Sequence, residues 1–263
     1  MITIEQLISI VRDASQLMVY DGFVVEQKDG YENIVTSSDV AVQDFLCNRL
    51  SGLMPDAGFL CEEKNVNDME REYTWIIDPI DGTANYSRGI DQCAICVGLK
   101  HAREMIMGVV YIPRTNELFY AEKGKGAYLN GRRIHVSDRS FDNAVLCTAL
   151  PVYYKKCAGV CAKIILDAFG KCNDIRRFGA CAPELCYLAV GRCELYFEYL
   201  LSPWDYAAAS LIVTEAGGII SSVDGSQLCL TDPTGVVAAN NRHNYEQMLG
   251  IVSEGMKSGR DVI

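Results

Sequence analysis

The sequence predicts a mixed α/β (α+β) fold, and three observations carry that prediction. Two amphipathic helical patterns come first, a run of short apolar strands follows, and past Asp142 strand and helix patterns alternate. Apolar residues at every second position indicate half-buried strands, whereas recurrence at three and four residues indicates helices. The change near residue 140 predicts two subdomains that share a cleft, an α+β subdomain over residues 1–140 and an α/β subdomain over residues 141–263.

The elements of the first half follow in chain order. A first helix is expected from Ile4 to about Met18, and a second begins at a cap formed by Ser37-Ser38-Asp39 and ends near Gly52. The polar stretch 26–33 between them is expected to be a loop or a hairpin connection. Strands are expected over residues 58–61, 73–77, 94–99, 105–111, 117–121 and 126–136. Asn130-Gly131, inside the last of these, is typical of a type I′ hairpin.

The second half alternates between the two kinds of element. Strands are expected over residues 145–149, near Ile175, and over residues 194–199 and 236–239, and helices over residues 155–169, 183–190 and 203–215. Pro203 suits the first turn of the third of these helices, and Gly217-Gly218 suits its end. A final helix is expected to begin at Asn244.

Charge and composition exclude several functions. The 263 residues include 49% hydrophobic and 22% charged residues and carry a net charge of −10, which repels nucleic acid and anionic membranes. No apolar run approaches the ~20 residues of a membrane span, and the first helix lacks the basic lead-in of a signal peptide. We therefore expect a cytoplasmic protein whose twelve cysteines are reduced and mostly buried. An anionic substrate would need positive charge from bound cations.

The stretch Asp78-Pro79-Ile80-Asp81-Gly82-Thr83 carries the clearest chemistry. It ends an apolar strand, so Asp78 and Asp81 can converge on one hard cation. The N–H groups of Gly82 and Thr83 can bind a phosphate oxygen. A covalent aspartyl-phosphate mechanism is disfavoured because Pro79 stands two residues before Asp81, where the nucleophile of such enzymes lies, and metal-activated water is the better candidate.

Two further acidic elements have similar context. Glu62-Glu63 ends another apolar strand, where the pair is either a solvated loop or a source of cation ligands. Asp205 follows Pro203-Trp204 in the first turn of an apolar helix, where it is either a cap or a ligand, since an acid stabilises a helix N-terminus regardless of function.

Together these elements resemble the inositol monophosphatase family of magnesium-dependent, lithium-sensitive phosphomonoesterases. The order and spacing of the motifs match over almost the whole chain: Glu62-Glu63, Asp78 to Thr83, Lys123 to Ala127, Asn130-Gly131, and Trp204-Asp205 with Glu215 to Gly218. The resemblance implies a layered αβαβα sandwich of the inositol monophosphatase/fructose-1,6-bisphosphatase type. It also implies a homodimer.

The resemblance assigns roles by position. Glu62, Asp78 and the carbonyl of Ile80 would bind a first Mg²⁺, and Asp78, Asp81 and Asp205 a second, with two or three ions in all. Thr83 supported by Asp39, together with Glu62 and with Lys28 nearby, would orient and deprotonate the attacking water. The phosphate would lie among Ile80, Asp81, Gly82, Thr83 and Asp205. The alcohol part of the substrate would contact Gly179, Ala180, Cys181 and Glu198, and neither Arg176 nor Arg177 is assigned a role.

The function expected is therefore magnesium-dependent hydrolysis of a small polyol or sugar phosphate, with inositol monophosphate as the nearest named substrate. Fructose-1,6-bisphosphatase and histidinol-phosphatase activities are alternatives on the same fold. A nucleoside 3′-phosphate is less favoured, because Ala84-Asn85-Tyr86 resembles the inositol phosphatase branch. A non-catalytic regulatory homologue is the alternative from another class. The partner expected is a small phosphate monoester, with no nucleic acid and no membrane.

Overall fold

The computed structural model describes residues 2–19, 21–28, 33–63 and 67–259. Helices α1 (Ile4–Ser15) and α2 (Ser37–Leu53) come first, separated by the antiparallel hairpin of β1 (Val25–Gln27) and β2 (Ile34–Thr36). The expected polar connection thus includes a hairpin, although residues 29–32 lie outside the described residues. The N-cap of α2 is Thr36 instead of the expected Ser37 to Asp39, because Thr36 and Asp39 form a reciprocal capping box. The helix ends at Leu53, one residue past Gly52.

A seven-stranded sheet follows, in which the strands lie side by side in sequence order. Its members are β3 (Gly58–Cys61), β4 (Tyr73–Asp81), β5 (Ala94–His101), β6 (Glu104–Ile112), β7 (Glu117–Glu122), β8 (Gly126–Leu129) and β9 (Arg132–Ile134). The first two strands are parallel and the other pairs are antiparallel. Asn130 and Gly131 both have positive φ, as the predicted type I′ turn requires.

Strand β4 extends to Asp81, beyond the expected end at Ile77. Its pairing with β5 shifts register between Asp78 and Asp81, where Pro79 cannot donate a ladder hydrogen bond. The short helix α3 (Thr83–Tyr86) follows directly. Both aspartates are therefore held by a sheet and not by a free loop.

A five-stranded sheet forms the second half, in the order β11-β10-β12-β14-β13. Its strands are β10 (Val145–Thr148), β11 (Asp174–Arg176), β12 (Leu195–Leu201), β13 (Ile219–Ser222) and β14 (Thr234–Ala239). The helices are α4 (Ala158–Phe169), α5 (Cys181–Ala189), α6 (Pro203–Glu215) and α7 (Arg242–Gly259). Strand β13 was not expected, and α5 begins at Cys181, two residues before the expected Pro183.

The helices and sheets stack in five layers. Helices α1 and α2 pack on one face of the seven-stranded sheet, where Trp75 and Ile77 of β4 point toward them. Ile76 points to the other face, which packs on α5 and α6, and those helices also contact Tyr196 and Val236 of the second sheet. Helices α4 and α7 cover the outer face of that sheet. This is the layered αβαβα arrangement expected from the resemblance.

Helices α5 and α6 lie between the sheets, and the N-terminus of each lies close to the end of β4, as the hydrogen bonds of Asp81 and the electrostatic interactions of Asp205 show below. No helix in the described ranges is long and apolar enough to span a lipid bilayer. The division into two subdomains near residue 140 stays a prediction.

Candidate active site

The turn after β4 brings two distant segments together. Gly82 has a φ of +86°, which a residue with a side chain rarely adopts. A Cβ on Gly82 would lie 2.9 Å from the Cβ of Ala180 and 2.9 Å from the carbonyl oxygen of Gln92, so glycine is also required by space. The predicted phosphate-binding turn therefore lies directly against the predicted substrate-side segment.

Asp81 joins the end of β4 to the start of α5 through hydrogen bonds. Its two carboxylate oxygens accept from the backbone N–H of Cys181, at 3.3 Å, and of Ala182, at 2.6 Å, which are in the first turn of α5. A carboxylate at a helix N-terminus is stabilised by the free N–H groups and by the helix dipole. Asp81 thus holds Ala180 and Cys181 beside the strand end.

Four carboxylates share this region. Burial raises the pKa of Asp78 well above its usual range, and the neighbouring charges of Glu62, Asp81 and Asp205 raise it further. Burial also raises the pKa of Asp205, with contributions from Asp81 and Glu62. Burial raises the pKa of Glu62 to about 7 and that of Asp81 to about 7. These four side chains therefore form one electrostatically coupled acidic cluster.

The acidic cluster, defined as Glu62, Asp78, Asp81 and Asp205, fits a hard divalent cation in its chemistry. All its donors are oxygens, and their mutual repulsion would be relieved by positive charge between them. In the described ranges, no three His, Cys, Asp or Glu side chains already surround a single position as ligands. Asp78 Oδ1 accepts from the N–H of Ile80, and Asp205 Oδ2 accepts from that of Ser202, so a backbone donor holds one oxygen of each carboxylate.

Asp205 was expected to be either a cap or a cation ligand, and the ligand role stays a prediction. Its bond to Ser202 completes a capping box at the start of α6, so it is a cap. It is a member of the acidic cluster as well, since its charge acts on Asp78. Asp205 therefore both caps α6 and belongs to the acidic cluster.

Thr83 and Asp39 meet beside the cluster. The Thr83 hydroxyl lies 3.0 Å from Oδ1 of Asp39 and 2.9 Å from the carbonyl oxygen of Ile80. Asp39 is fully buried, and burial raises its pKa although hydrogen bonds from Thr36 and Thr83 oppose this. Three predicted residues from two distant elements are thus in contact.

Lys28 reaches the same place from the hairpin. Its Nζ lies 2.5 Å from Glu63 and 3.5 Å from Glu62, so the glutamate pair is not a solvated loop. Burial lowers the pKa of Lys28, but the two glutamates outweigh this and the net shift is upward. Gln43 holds the backbone of Glu63 through two hydrogen bonds. Its Nε2 donates to the carbonyl of Glu63 at 2.7 Å, and its Oε1 accepts from the N–H of Glu63 at 2.9 Å.

The substrate-side residues line the adjoining surface. Burial raises the pKa of Glu198 to about 7, and its Oε1 accepts a 2.9 Å hydrogen bond from the Tyr196 hydroxyl. Cys181 is buried between the charges of Glu198 and Asp81, which help raise its pKa. Gly179, with a φ of +85°, lies at the rim of this surface. The structure thus brings every predicted site residue into one region.

Three residues of this region were missed by the sequence reasoning. Gln43 lies one helical turn after Asp39, and that spacing was the available signal. Tyr196 precedes Glu198 by two residues on the same strand face. Glu184 is fully buried in α5, and its Oε1 accepts from the N–H groups of Phe178 and Gly179 at 2.7 and 2.9 Å. A buried glutamate near a helix start offers little sequence signal, because acids are common there for helix stability.

Comparison with known proteins places the chain. The profile of the inositol monophosphatase family matches residues 3–257. The inositol-1-monophosphatase of Caulobacter vibrioides is 35% identical over 242 residues, with 89% of this chain and 94% of that protein covered. A protein of Vibrio cholerae named Nus factor SuhB is 37% identical over 198 residues, covering 74% of each chain.

The fold agrees with these matches. The crystal structure of the extragenic suppressor protein suhB from Bartonella henselae superposes with a TM-score of 0.88 at 29% identity, covering 95% of this chain and 98% of that one. Sequence and fold therefore both place this chain in the inositol monophosphatase family.

Proposed function

We propose that this chain is a magnesium-dependent phosphomonoesterase that hydrolyses a small polyol or sugar phosphate, with inositol monophosphate as the nearest named substrate. The observation that carries the proposal is the contact between Thr83 and Asp39 at the edge of the acidic cluster. Asp39 caps α2 with one oxygen and orients a hydroxyl beside four acids with the other, an arrangement that capping alone does not require. It suits a site that positions water next to a bound cation.

The residues that would hold magnesium are Glu62, Asp78 and the Ile80 carbonyl for one ion, and Asp78, Asp81 and Asp205 for another. Bound magnesium would offset the charge of the phosphate and make a nearby water more acidic. The number of ions, two or three, stays a prediction from the family.

The chain's own residues would then orient the water. A hydroxyl that donates a hydrogen bond to Asp39 presents a lone pair on its other side, so Thr83 would accept a hydrogen bond from the attacking water and fix its direction. Glu62 would accept the proton that the water releases, and the nearby charge of Lys28 favours the ionised carboxylate, against the larger effect of burial. The N–H groups of Gly82 and Thr83 would bind the phosphate oxygens.

Glu198 would bind the alcohol part of the substrate. Tyr196 occupies one of its oxygens, which leaves the other available to accept from a substrate hydroxyl. Gly179, Ala180 and Cys181 would shape the same surface. Fructose 1,6-bisphosphate and histidinol phosphate are alternative substrates for this arrangement.

A second candidate is a non-catalytic regulatory role, because one relative carries the name Nus factor SuhB. Retention of the complete acidic cluster favours catalysis, since buried like charges destabilise a chain that binds no cation. A cytoplasmic location, a homodimer and lithium inhibition are further predictions from the family.

The test is phosphate release from inositol, sugar, histidinol and nucleotide phosphates, with magnesium and with a chelator. Wild type is compared with Asp81→Asn and Glu62→Gln, and Asp167→Asn is the matched control because Asp167 is an exposed partner of Lys163 on α4. Circular dichroism checks that each variant folds. Release that needs magnesium and is lost in both site variants supports the proposal, whereas no release by folded wild type supports the regulatory role.

A further inference from the structure

Two thiols lie in contact next to the acidic cluster. Cys47 on α2 and Cys61 at the end of β3 are 14 positions apart in the chain, and their Sγ atoms lie 3.8 Å apart. A disulfide bond joins its sulfurs at about 2.05 Å, so these two would need to approach each other by about 1.8 Å. Cys61 directly precedes Glu62 of the acidic cluster. A covalent bond between the thiols would therefore form within one residue of a predicted cation ligand.

The two sulfurs differ in their access to solvent. Cys47 is partly exposed, whereas Cys61 is 2% exposed. A small oxidant therefore meets Cys47 first, and Cys61 is the thiol within reach of the oxidised sulfur. Cys147 and Cys193 are also hydrogen-bonded neighbours, but both are buried in the core, which shields them from an oxidant in the native state.

Cys47 belongs to a face of α2 that also holds the candidate site. Asp39, Gln43 and Cys47 follow one another at four-residue intervals, so they lie on the same side of the helix. Asp39 accepts from the Thr83 hydroxyl, and Gln43 makes two hydrogen bonds with the backbone of Glu63. The helix is thus anchored to the site one and two turns before Cys47. A bond at Cys47 would pull on the strand from a fixed position.

The end of β3 is the part that would move. Strand β3 has four residues and is the edge strand of the seven-stranded sheet. Cys61 packs in the core on the α1 and α2 side of that sheet. Successive side chains of a strand point to opposite faces, so Glu62 points the other way, where its charge acts on Asp78. Drawing Cys61 toward α2 would therefore draw Glu62 away from Asp78.

We infer that Cys47 and Cys61 are a modification site, at which a hydroperoxide converts the two thiols into a reversible disulfide that weakens cation binding by the acidic cluster. The effect on cation binding rests on the proposed function, because it needs the cation site at Glu62. The disulfide itself needs only the contact between the two sulfurs.

The oxidation balances in two steps, written here for hydrogen peroxide. The thiolate sulfur of Cys47 attacks one peroxide oxygen, the O–O bond breaks, and the departing hydroxide takes up the proton that Cys47 has lost, which gives a sulfenic acid and water. The sulfur of Cys61 then attacks the sulfur of Cys47, the S–O bond breaks, and the departing hydroxide takes the proton of Cys61 to form a second water. The two thiols together lose two electrons, and the peroxide gains them.

The experiment treats the folded protein with hydrogen peroxide and identifies linked peptides by mass spectrometry without reduction. Cys47→Ser removes one sulfur of the pair. Cys172→Ser is the matched control, because Cys172 is also partly exposed but its thiol donates to the carbonyl of Asp174, at 3.6 Å. In wild type and in Cys172→Ser we expect a Cys47–Cys61 linkage with the loss of two hydrogen atoms, fully reversed by dithiothreitol. Cys47→Ser should form no linkage to Cys61.

The rise in Tm caused by magnesium at pH 8, measured in the reduced and in the oxidised protein, reports cation binding without turnover. We expect oxidation to reduce this rise at least twofold in wild type, and peroxide to leave it unchanged in Cys47→Ser. The kcat/KM of oxidised wild type should fall about 10-fold or more, since a displacement of about 1 Å at a reacting group costs up to about 100-fold. Dithiothreitol should restore both quantities.

Two further outcomes separate this inference from the proposed function. If the linkage forms and reduces the magnesium response, while reduced wild type releases no phosphate from any compound of the panel, the inference stands and the proposed phosphatase activity fails. If reduced wild type is an active phosphatase but the linkage does not form, or forms without changing the magnesium response, the inference is wrong and the proposed function stands.

Discussion

The Thr83 hydroxyl donates to Asp39 across a separation of forty-four residues, with 3.0 Å between Oγ1 and Oδ1. The other oxygen of Asp39 accepts from the N–H of Thr36, at 2.8 Å, and from its hydroxyl. One buried carboxylate therefore caps α2 and orients a hydroxyl at the end of β4. The position of α2 is coupled in this way to the direction in which Thr83 presents its lone pair.

Removing the Thr83 hydroxyl should lower kcat and leave KM little changed. Thr83→Val keeps the shape but cannot accept a hydrogen bond from water, and we expect kcat to fall about 100-fold, within the range for groups that position a proton transfer. Thr83→Ser keeps the hydroxyl and should retain most of the activity. Steady-state kinetics on the best substrate of the panel measures both.

Asp39→Asn should act through the same hydroxyl. If the amide oxygen stays on Thr36, its NH₂ faces Thr83 and forces that hydroxyl to accept instead of donate. The double variant Asp39→Asn/Thr83→Val should therefore have a kcat no lower than that of Thr83→Val alone. Losses that multiply would show that the two residues act independently and would contradict the proposed orientation.

Motifs at strand ends made most of the site predictable. Glu62 and Asp78 were each expected at the end of an apolar strand, and the resemblance joined them in one site; the strands concerned, β3 and β4, are parallel neighbours. Because carboxylate oxygens are the ligands that hard cations prefer, a hard divalent cation was the ligand expected at these residues. The five layers were implied by the resemblance and not by element order or periodicity.

The residues that escaped prediction share a different property. Gln43 and Glu184 act by contacts with backbone groups, of Glu63 and of Phe178 and Gly179, and such contacts need no particular residue type at the partner position. The starts of α2 and α5, at Thr36 and Cys181, also differed from the predicted starts, because capping hydrogen bonds decide where a helix begins.

The metal-free protein should lose stability as pH rises from about 4 to about 7. The pKa values of Glu62 and Asp81 are raised to about 7 in the folded state, from ordinary values of 4.5 and 3.8. The folded state then binds more protons than the unfolded state over this range, so its stability is greatest below the unfolded pKa and is lost as pH approaches the folded one. Thermal melting with chelator across this range measures the fall.

Magnesium should reverse the loss, because it binds the ionised carboxylates. We expect a rise in Tm at pH 8 that exceeds the rise at pH 5. Asp78→Asn should melt higher than wild type without metal at pH 8 and should lose most of the magnesium-induced rise, since it removes one of the four repelling charges. An equal magnesium effect at both pH values, or an undiminished effect in Asp78→Asn, would contradict the cation site.

Glu184→Gln should remove a separate contribution to the pH dependence. Burial raises the pKa of Glu184 to about 8, from an ordinary 4.5, so wild-type stability also falls through this range as the unfolded state ionises. Its Oε1 acceptor survives in glutamine, whereas the buried Oε2 has no partner to lose. At pH 9 the variant should melt about 2–4 °C above wild type, and at pH 4 the two should agree within about 1 °C.

Glu184→Leu separates the charge from the two hydrogen bonds. It removes the acceptor for Phe178 and Gly179, so it should destabilise the protein at pH 4 as well as at pH 9. A Glu184→Gln variant that is equally destabilised at both values would show that the acceptor geometry fails and that the carboxyl does not titrate in the predicted range.

The cysteines should be unreactive in the native state. Of the twelve, nine are buried, and only Cys47, Cys172 and Cys229 are partly exposed. Burial also raises the pKa of the Cys96 and Cys186 thiols well above the usual range, which lowers the thiolate fraction that reacts. A thiol-specific chromophoric reagent should therefore titrate at most three equivalents quickly in native protein and all twelve after denaturation. Cys229→Ser should remove one of the rapid equivalents, and fast reaction of more than three thiols would show that the core opens more readily than its burial indicates.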